Sequence, residues 1–317
     1  MHRVAVAVIL LVILLGAIAF APPSQGGFLW LRTLHNFAHG PIFGCIALIL
    51  LYVLRGQPRF AARTPLVQYG VIFAIAFALG IATEIAQLGT GRDASIEDLI
   101  TDLLGASAFL LVFSAIDPAL RASSKRRRST LALAGLMLVL VLAWPPVEVA
   151  YAYAQRARSF PVIVDFNERL GLRFVAKQGV LAQAVPLPER WAATPGERAL
   201  HVRFVGDAWP GVEIFEVPPD WSEYRVLVLD LVNPSETDLN ITVRIDDRQH
   251  NRQFHDRYNG RFILRARTRE VLRIPLSEVE RAPRGRPFDL QHVARMLIFK
   301  RETQSDEALY FVRAALE

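Results

Sequence analysis

Polar side chains of one chemical set occur at helical spacing within an otherwise apolar part of this sequence. Glu84 and Gln87 lie three residues apart, and Asp98 and Asp102 lie four apart, so each pair occupies one face of a helix. An imidazole together with carboxylates can hold a divalent metal ion or perform acid–base work. The residues expected to share this polar cluster are His39, Glu84, Gln87, Arg92, Asp98 and Asp102.

Apolar segments must position these side chains. Their length and composition predict an all-α membrane domain over residues 1–154. An ionisable group in such a segment is costly unless it faces the bundle interior, which places the polar cluster between helices. The first segment also has the form of a signal peptide, an alternative that its length disfavours. The five predicted transmembrane helices are about 4–21, 37–54, 66–88, 96–116 and 131–147.

Charge in the connecting loops predicts an orientation. The connections after the second and fourth segments carry eight Lys and Arg, whereas the other two carry only Arg32 and Arg92. Positively charged loops stay in the cytoplasm. We therefore expect a multi-pass protein of the bacterial inner (plasma) membrane, with a cytoplasmic amino terminus and a periplasmic carboxy-terminal domain.

Simpler structural explanations apply to parts of the polar cluster. Ser95 followed by Asp98 matches a capping box, and Arg92 could only pair with Asp93 or reach lipid headgroups. Glu84 needs a partner, for which Arg92 or His39 is the economical choice. No spacing here fixes a reaction, so catalytic residues and a metal stay unassigned, and no cofactor is expected.

A family resemblance rests on these same residues. The order of His39, Glu84-Ile-Ala-Gln87, Arg92 and Asp98-Leu-Ile-Thr-Asp102-Leu-Leu-Gly105 resembles the VanZ-like membrane family over roughly residues 31–116. Asp102 stands where that family usually has Asn, and His35-Asn36 where it often has Asp-Lys. The resemblance implies an envelope protein, whose founding member is associated with glycopeptide-antibiotic resistance, and implies no established reaction.

The remainder of the chain has the pattern of a soluble β domain. A linker is expected at 155–160 and an extracytoplasmic domain at 161–317. Leu239, Ile241 and Val243 alternate with polar residues, as in a sheet with one buried face. Turn residues separate short strands, which indicates an all-β antiparallel sandwich. The predicted strands are 162–166, 199–205, 212–217, 224–231, 239–246, 262–266, 271–274, 294–300 and 309–314.

The order of features in this domain is similar to a galactose-binding-type jelly roll of carbohydrate-binding modules. The similarity rests on Val164-Asp165-Phe166, the segment 219–224, the strand ending in Asp246-Asp247, and Tyr310-Phe311-Val312. Sugar recognition needs flat aromatic faces beside hydrogen-bonding groups. Trp221 is expected in the core, and the loop 246–258 at the ligand edge. The ligand-binding candidates are Trp209, Asp247, His250, Asn251 and Tyr258.

Three functions fit this organisation: a glycan- or glycolipid-binding envelope protein, a membrane enzyme or transporter acting on a lipid-linked substrate through Glu84, His39 and Asp98, and a protein-binding envelope scaffold. Expected partners are membrane lipids, a glycan or lipid-linked glycan, and an envelope protein. Nucleic acid is not expected, since 36 Lys and Arg nearly balance 30 Asp and Glu. The single Cys45 excludes an intrachain disulfide framework and a cysteine-based metal site.

Overall fold

The computed structural model divides the chain into two compact units, Met1–Ala150 and Tyr151–Glu317. The residues described are 2–19, 28–88, 95–206, 208–301 and 307–317. The first unit is helical, and its last helix continues into the second unit, so residues 155–159 of the predicted linker are helical. The helices are α1 (His2–Ala19), α2 (Leu29–Arg55), α3 (Pro58–Ala61), α4 (Pro65–Leu88), α5 (Ile96–Phe113) and α6 (Lys125–Ser159).

Helices α2 and α5 approach each other closely in the first unit. Gly105 lies directly against the Gly40 backbone, and a Cβ at Gly105 would collide with the Gly40 carbonyl. The sequence predicts this approach from Gly105, which continues the face of Asp98 and Asp102, and the structure confirms it. The apolar core beside it comprises Phe43, Ile46, Ala47, Leu51, Ile72, Ala76, Ala106 and Leu110.

Three of the described helices are long and apolar enough to cross a membrane: α2, α4 and α6. The two further spans, in α1 and α5, stay predictions. α5 carries Glu97, Asp98 and Asp102 within its 18 residues, which makes it more polar than an ordinary span. Asp98 and Asp102 are buried, so neither carboxylate lies on the exposed surface of α5.

The second unit contains two antiparallel sheets. All nine predicted strands are present, and the sequence missed β2 and β3. The missed strand β2 is four residues long and mostly exposed, so it lacks an apolar alternation. The strands are β1 (Val162–Asp165), β2 (Val175–Gln178), β3 (Val180–Pro186), β4 (Arg198–Phe204), β5 (Gly211–Phe215), β6 (Val226–Asn233), β7 (Leu239–Asp247), β8 (Tyr258–Leu264), β9 (Thr268–Pro275), β10 (Val293–Phe299) and β11 (Ala308–Leu316).

Strand pairing defines a jelly roll. One sheet has the order β3-β4-β11-β6-β9 with β1 on β11, and the other has β2-β5-β10-β7-β8. Counted from β4 to β11, the first strand pairs with the eighth, the second with the seventh, the third with the sixth and the fourth with the fifth. This nested pairing is the jelly-roll arrangement of eight strands. The predicted sandwich class is confirmed for this unit.

The two sheets enclose one apolar core. Leu239, Ile241 and Val243 on β7 point into it, as their alternation predicts. Trp221 is fully buried and donates from Nε1 to the Pro218 carbonyl at 2.7 Å, which confirms its predicted core position. A short helix, α7 (Leu276–Glu280), follows β9 and adds Leu276 and Val279 to the core. The polar residues that alternate with this core are left on the outer sheet faces.

Candidate functional site

The polar cluster of the first unit is centred on a buried histidine–aspartate pair. His39 on α2 and Asp102 on α5 are 2% and 0% exposed, and His39 Nδ1 lies 3.0 Å from Asp102 Oδ1. Since a carboxylate only accepts, the pairing assigns a proton to Nδ1 and leaves Nε2 of the neutral imidazole as an acceptor. His39 Nε2 and Asp102 Oδ2 have no hydrogen-bond partner among the described residues.

Glu84 performs a capping role beside this pair. Its Oε2 accepts the backbone N–H of Ser95 at 2.6 Å, while Ser95 Oγ accepts the N–H of Asp98 at 3.2 Å. The N-cap hydrogen bond predicted for Ser95 is therefore confirmed. The reciprocal bond of a capping box is not made by Asp98, because the Ser95 N–H donates to Glu84 of α4 instead. Gln87 is fully buried on the same helix. Arg92, the remaining member, lies outside the described residues.

The His39–Asp102 pair at the centre of the cluster has the chemistry of a proton acceptor. Within the described ranges, no group of three or more His, Cys, Asp or Glu side chains could hold a metal ion. A histidine held by a carboxylate through Nδ1 is the usual arrangement of a general base acting through Nε2. Among the described residues no nucleophile is identified beside the pair. The pair could therefore accept a proton, but it does not specify a reaction.

A second buried polar group, which the sequence reasoning missed, lies at the opposite ends of these helices. Arg55 donates to both carboxylate oxygens of Asp117 at 2.9 and 2.7 Å, and its Nε donates to Gln68 at 2.8 Å. Tyr69 donates to Asp117 at 2.8 Å. Bidentate geometry makes this pair a strong one. Arg55 thus fixes the ends of α2 and α4 in addition to supplying a loop charge.

A groove crosses the outer face of the five-stranded sheet of the second unit. Its volume is about 480 Å³. Two large aromatic side chains border it: Trp209 is 51% exposed and Phe254 is 64% exposed. We call this feature the aromatic groove. It is lined by Ala176, Lys177, Gln178, Trp209, Gly211, Val212, Glu213, Arg244, Phe254, Arg257, Leu297 and Phe299.

Strand register brings the polar residues of the aromatic groove together. On β10, Leu297 lies between Glu213 of β5 and Arg244 of β7, so these three side chains share one outward row. Arg244 Nε donates to Asp246 at 2.7 Å. Burial raises the pKa of Asp246, but the guanidinium groups of Arg244 and Arg295 outweigh it and hold that pKa below its usual range. The floor of the groove thus alternates apolar and charged groups.

Trp209 adopts an unusual backbone conformation. Its φ is +53°, in the left-handed region that bulky residues rarely occupy. Its ring contacts Phe299 edge to face, with the centroids 5.7 Å apart. A strained residue that keeps half of an indole exposed at a groove is a reason to suspect a binding role. Trp209 is the predicted ligand candidate that the structure places best.

Two of the other predicted ligand candidates are buried in the fold, outside the lining of the aromatic groove. Tyr258 is 7% exposed in the core, where burial raises its pKa to about 12. Asp247 is 2% exposed and accepts from Arg286 Nη2 at 2.8 Å and from the Asp289 N–H at 2.9 Å. The sequence pattern identified a polar loop correctly but could not tell which members point inward.

The loop after β7 is held in one conformation by these contacts. Arg286 also donates to Asp256 at 2.7 Å, which lowers the pKa of Asp256. Asp256 accepts the N–H of Asn251 at 2.8 Å, and its carbonyl lies 2.8 Å from His250 Nδ1. His250 is therefore a positioning residue, and Asn251 remains exposed. The loop presents Phe254 and Arg257 to the aromatic groove.

Sequence reasoning missed Phe254, Glu213 and Leu297 as groove residues. The outward alternation along β7 already placed Arg244 away from the core. Its neighbours in the groove come from β5 and β10, and β10 is about fifty residues away in sequence, so only the register reveals them. An exposed aromatic inside a polar loop, such as Phe254, was the one signal that could have been used.

No protein-family model matches this sequence, and no curated protein matches it. The VanZ-like resemblance of the first unit thus remains an interpretation. Solved structures do resemble the chain. An exo-beta-agarase is 13% identical, with a TM-score of 0.36 over 45% of this chain and 23% of that chain. This chain therefore spans less than a quarter of that enzyme's length.

Two binding modules are similar over most of their own length. The family 11 carbohydrate-binding module from Clostridium thermocellum, solved with a beta-1,3-1,4-mixed-linked tetrasaccharide, is 13% identical, with a TM-score of 0.36 over 49% of this chain and 93% of that chain. A module of type CBM28, specific for non-crystalline cellulose, is 10% identical, with a TM-score of 0.32 over 46% and 87%. Because these TM-scores are low, the assignment of a jelly roll rests on the strand pairing of this chain and not on the two modules.

Proposed function

We propose that this chain is a glycan-binding protein of the bacterial cell envelope, anchored in the inner membrane by its first unit. The observation that carries the proposal is the aromatic groove, in which exposed Trp209 and Phe254 flank Glu213, Arg244 and Arg257. Flat aromatic faces pack on the apolar faces of sugar rings, and polar groups between them bind hydroxyls. Exposed apolar side chains that gather at a groove mark an interaction site more often than scattered ones do.

The membrane part of the proposal is supported by α2, α4 and α6, which have the length and hydropathy of membrane spans. We infer five spans, with α1 and α5 as the other two. The loop charges then favour a cytoplasmic amino terminus and a periplasmic second unit. In that compartment the aromatic groove would meet envelope polysaccharides and lipid-linked glycans.

A direct test is glycan binding by the full chain in nanodiscs, first on an array that includes cell-wall fragments and then by calorimetry. We expect Trp209→Ala or Phe254→Ala to weaken binding by about tenfold each, since an aromatic contact contributes about 1.5 kcal/mol. Val271→Ala is the matched control, because Val271 is 55% exposed on β9 of the other sheet. A properly folded chain that binds no glycan would refute the proposal.

A second function is favoured by one observation in the first unit. His39 and Asp102 form a buried pair whose Nε2 is available as a base. Under this alternative the first unit acts on a lipid-linked substrate, and the aromatic groove presents the glycan part of it. The pair would then remove or deliver a proton at His39 Nε2, while Asp102 holds the imidazole in the required tautomer.

A further inference from the structure

The charges of the aromatic groove are not balanced. Arg244 forms an ion pair with Asp246, and Arg295 Nη1 lies 3.4 Å from Glu213 Oε1. Lys177 donates to the Ala182 carbonyl. Within the part of the chain that the structure describes, Arg257 is the groove cation that donates to no carboxylate and to no backbone carbonyl.

The contacts of Arg257 are weak ones. Its Nε donates to Asn259 Oδ1 at 3.2 Å, and its guanidinium lies 5.4 Å from the centroid of the Phe254 ring. The side chain is half-buried at the groove wall. Burial, and then the nearby charge of Arg244, lower the pKa of Arg257 from its ordinary value. An arginine in a protein remains charged, and within the described residues Arg257 makes no ion pair, although Asp246 attracts it from a greater distance.

Such a cation favours an anionic ligand. A half-buried guanidinium that makes no ion pair gains more from a carboxylate or sulfate than from a hydroxyl, because charge-assisted hydrogen bonds are about twice as strong. Its planar fork suits both groups. Arg244 and Arg295 repel Arg257 in the free protein while Asp246 attracts it, and a bound anion would add a direct partner for its guanidinium.

We propose that the aromatic groove binds an anionic glycan, in which a carboxylate or sulfate on a sugar ring is received by Arg257 while the rings pack on Trp209 and Phe254. This inference rests on the proposed function and narrows it to a class of polysaccharide. A glycan is favoured over an anionic lipid surface because the cation lies in a concave groove that two exposed aromatic side chains also line.

The experiment compares oligosaccharides that differ in charge alone, using the full chain in nanodiscs of zwitterionic lipid. The pairs are oligogalacturonate with its methyl ester, which tests a carboxylate, and dextran sulfate with dextran, which tests a sulfate. We expect the anionic member of one pair to bind at least about tenfold more tightly than the neutral member. Arg257→Gln should remove that preference, whereas Arg257→Lys should retain part of it.

Arg203→Gln is the matched control, since Arg203 is exposed on β4 of the other sheet and should leave the preference intact. Equal binding of charged and neutral members, or equal effects of the Arg257 and Arg203 variants, would overturn the inference while leaving glycan binding in place. Binding to neither pair, with binding to a neutral glycan on the array, would also overturn the inference, whereas no binding to any glycan would refute the proposed function. Anionic binding that is abolished by phosphatidylglycerol in the nanodisc would assign the site to lipid and also overturn the inference.

Discussion

At the scale of single residues, the His39–Asp102 pair allows a structural and a chemical role to be separated. Asp102→Leu removes the acceptor from the buried Nδ1–H of His39, and we expect a loss of stability of about 1–3 kcal/mol. Asp102→Asn keeps a carbonyl oxygen in the same place, so it should cost clearly less. Thermal unfolding of the purified protein in detergent measures both variants.

The same two variants also test for chemistry. Under the second proposed function, turnover of a lipid-linked envelope glycan can be compared in cells that contain equal amounts of each protein. A general base needs the carboxylate to stabilise an imidazolium, so Asp102→Asn should abolish a catalytic phenotype while the protein stays folded. If Asp102→Asn retains both the phenotype and the stability, the pair is a structural hydrogen bond.

At the scale of elements, the contact between α2 and α5 depends on two glycines. A methyl group at Gly105 would collide with the Gly40 carbonyl, which no side-chain movement can relieve. Gly105→Ala should therefore destabilise the first unit by about 1–3 kcal/mol or more. Unfolding temperature and membrane abundance both report this loss.

Gly70→Ala is the matched control for that substitution. Gly70 lies within α4, and no neighbouring atom lies within 4 Å of the position that an alanine Cβ would take there. Alanine at this position should therefore be neutral or stabilise the helix by about 0.5–1 kcal/mol. Equal tolerance of alanine at Gly105 and Gly70 would contradict the close packing of α2 against α5.

The elements themselves were largely predictable, and their partners were not. Alternation along β7 and the N-cap at Ser95 are local patterns, and both are present as expected. His39 and Asp102 meet across 63 positions of sequence, and Leu297 lies between Glu213 and Arg244 only through register. Local spacing predicts neither the His39–Asp102 contact nor the position of Leu297, because both depend on residues distant in sequence. Local spacing also did not show that Tyr258 and Asp247 are buried, the first within the core and the second beside Arg286.

At the scale of the whole molecule, α5 decides on which side of the membrane the second unit lies. By charge count α5 is a poor span, yet Asp98 and Asp102 are only 6% and 0% exposed, so the bundle interior shelters them. If α5 crosses, the cation-rich loop 121–128 is cytoplasmic and the jelly roll is periplasmic. If α5 does not cross, the loop 121–128 is periplasmic and the jelly roll is cytoplasmic. That arrangement contradicts the positive-inside rule.

Cysteine labelling distinguishes these two arrangements. Cys45 is the only cysteine, so Cys45→Ser gives a clean background for Ala122→Cys in the loop and Ser222→Cys in the jelly roll, both at exposed positions. With a membrane-impermeant maleimide on spheroplasts, we expect Ser222→Cys to react and Ala122→Cys to react only after lysis. The reverse pattern would place the aromatic groove in the cytoplasm, away from envelope glycans, and would refute the proposed function together with the five-span topology.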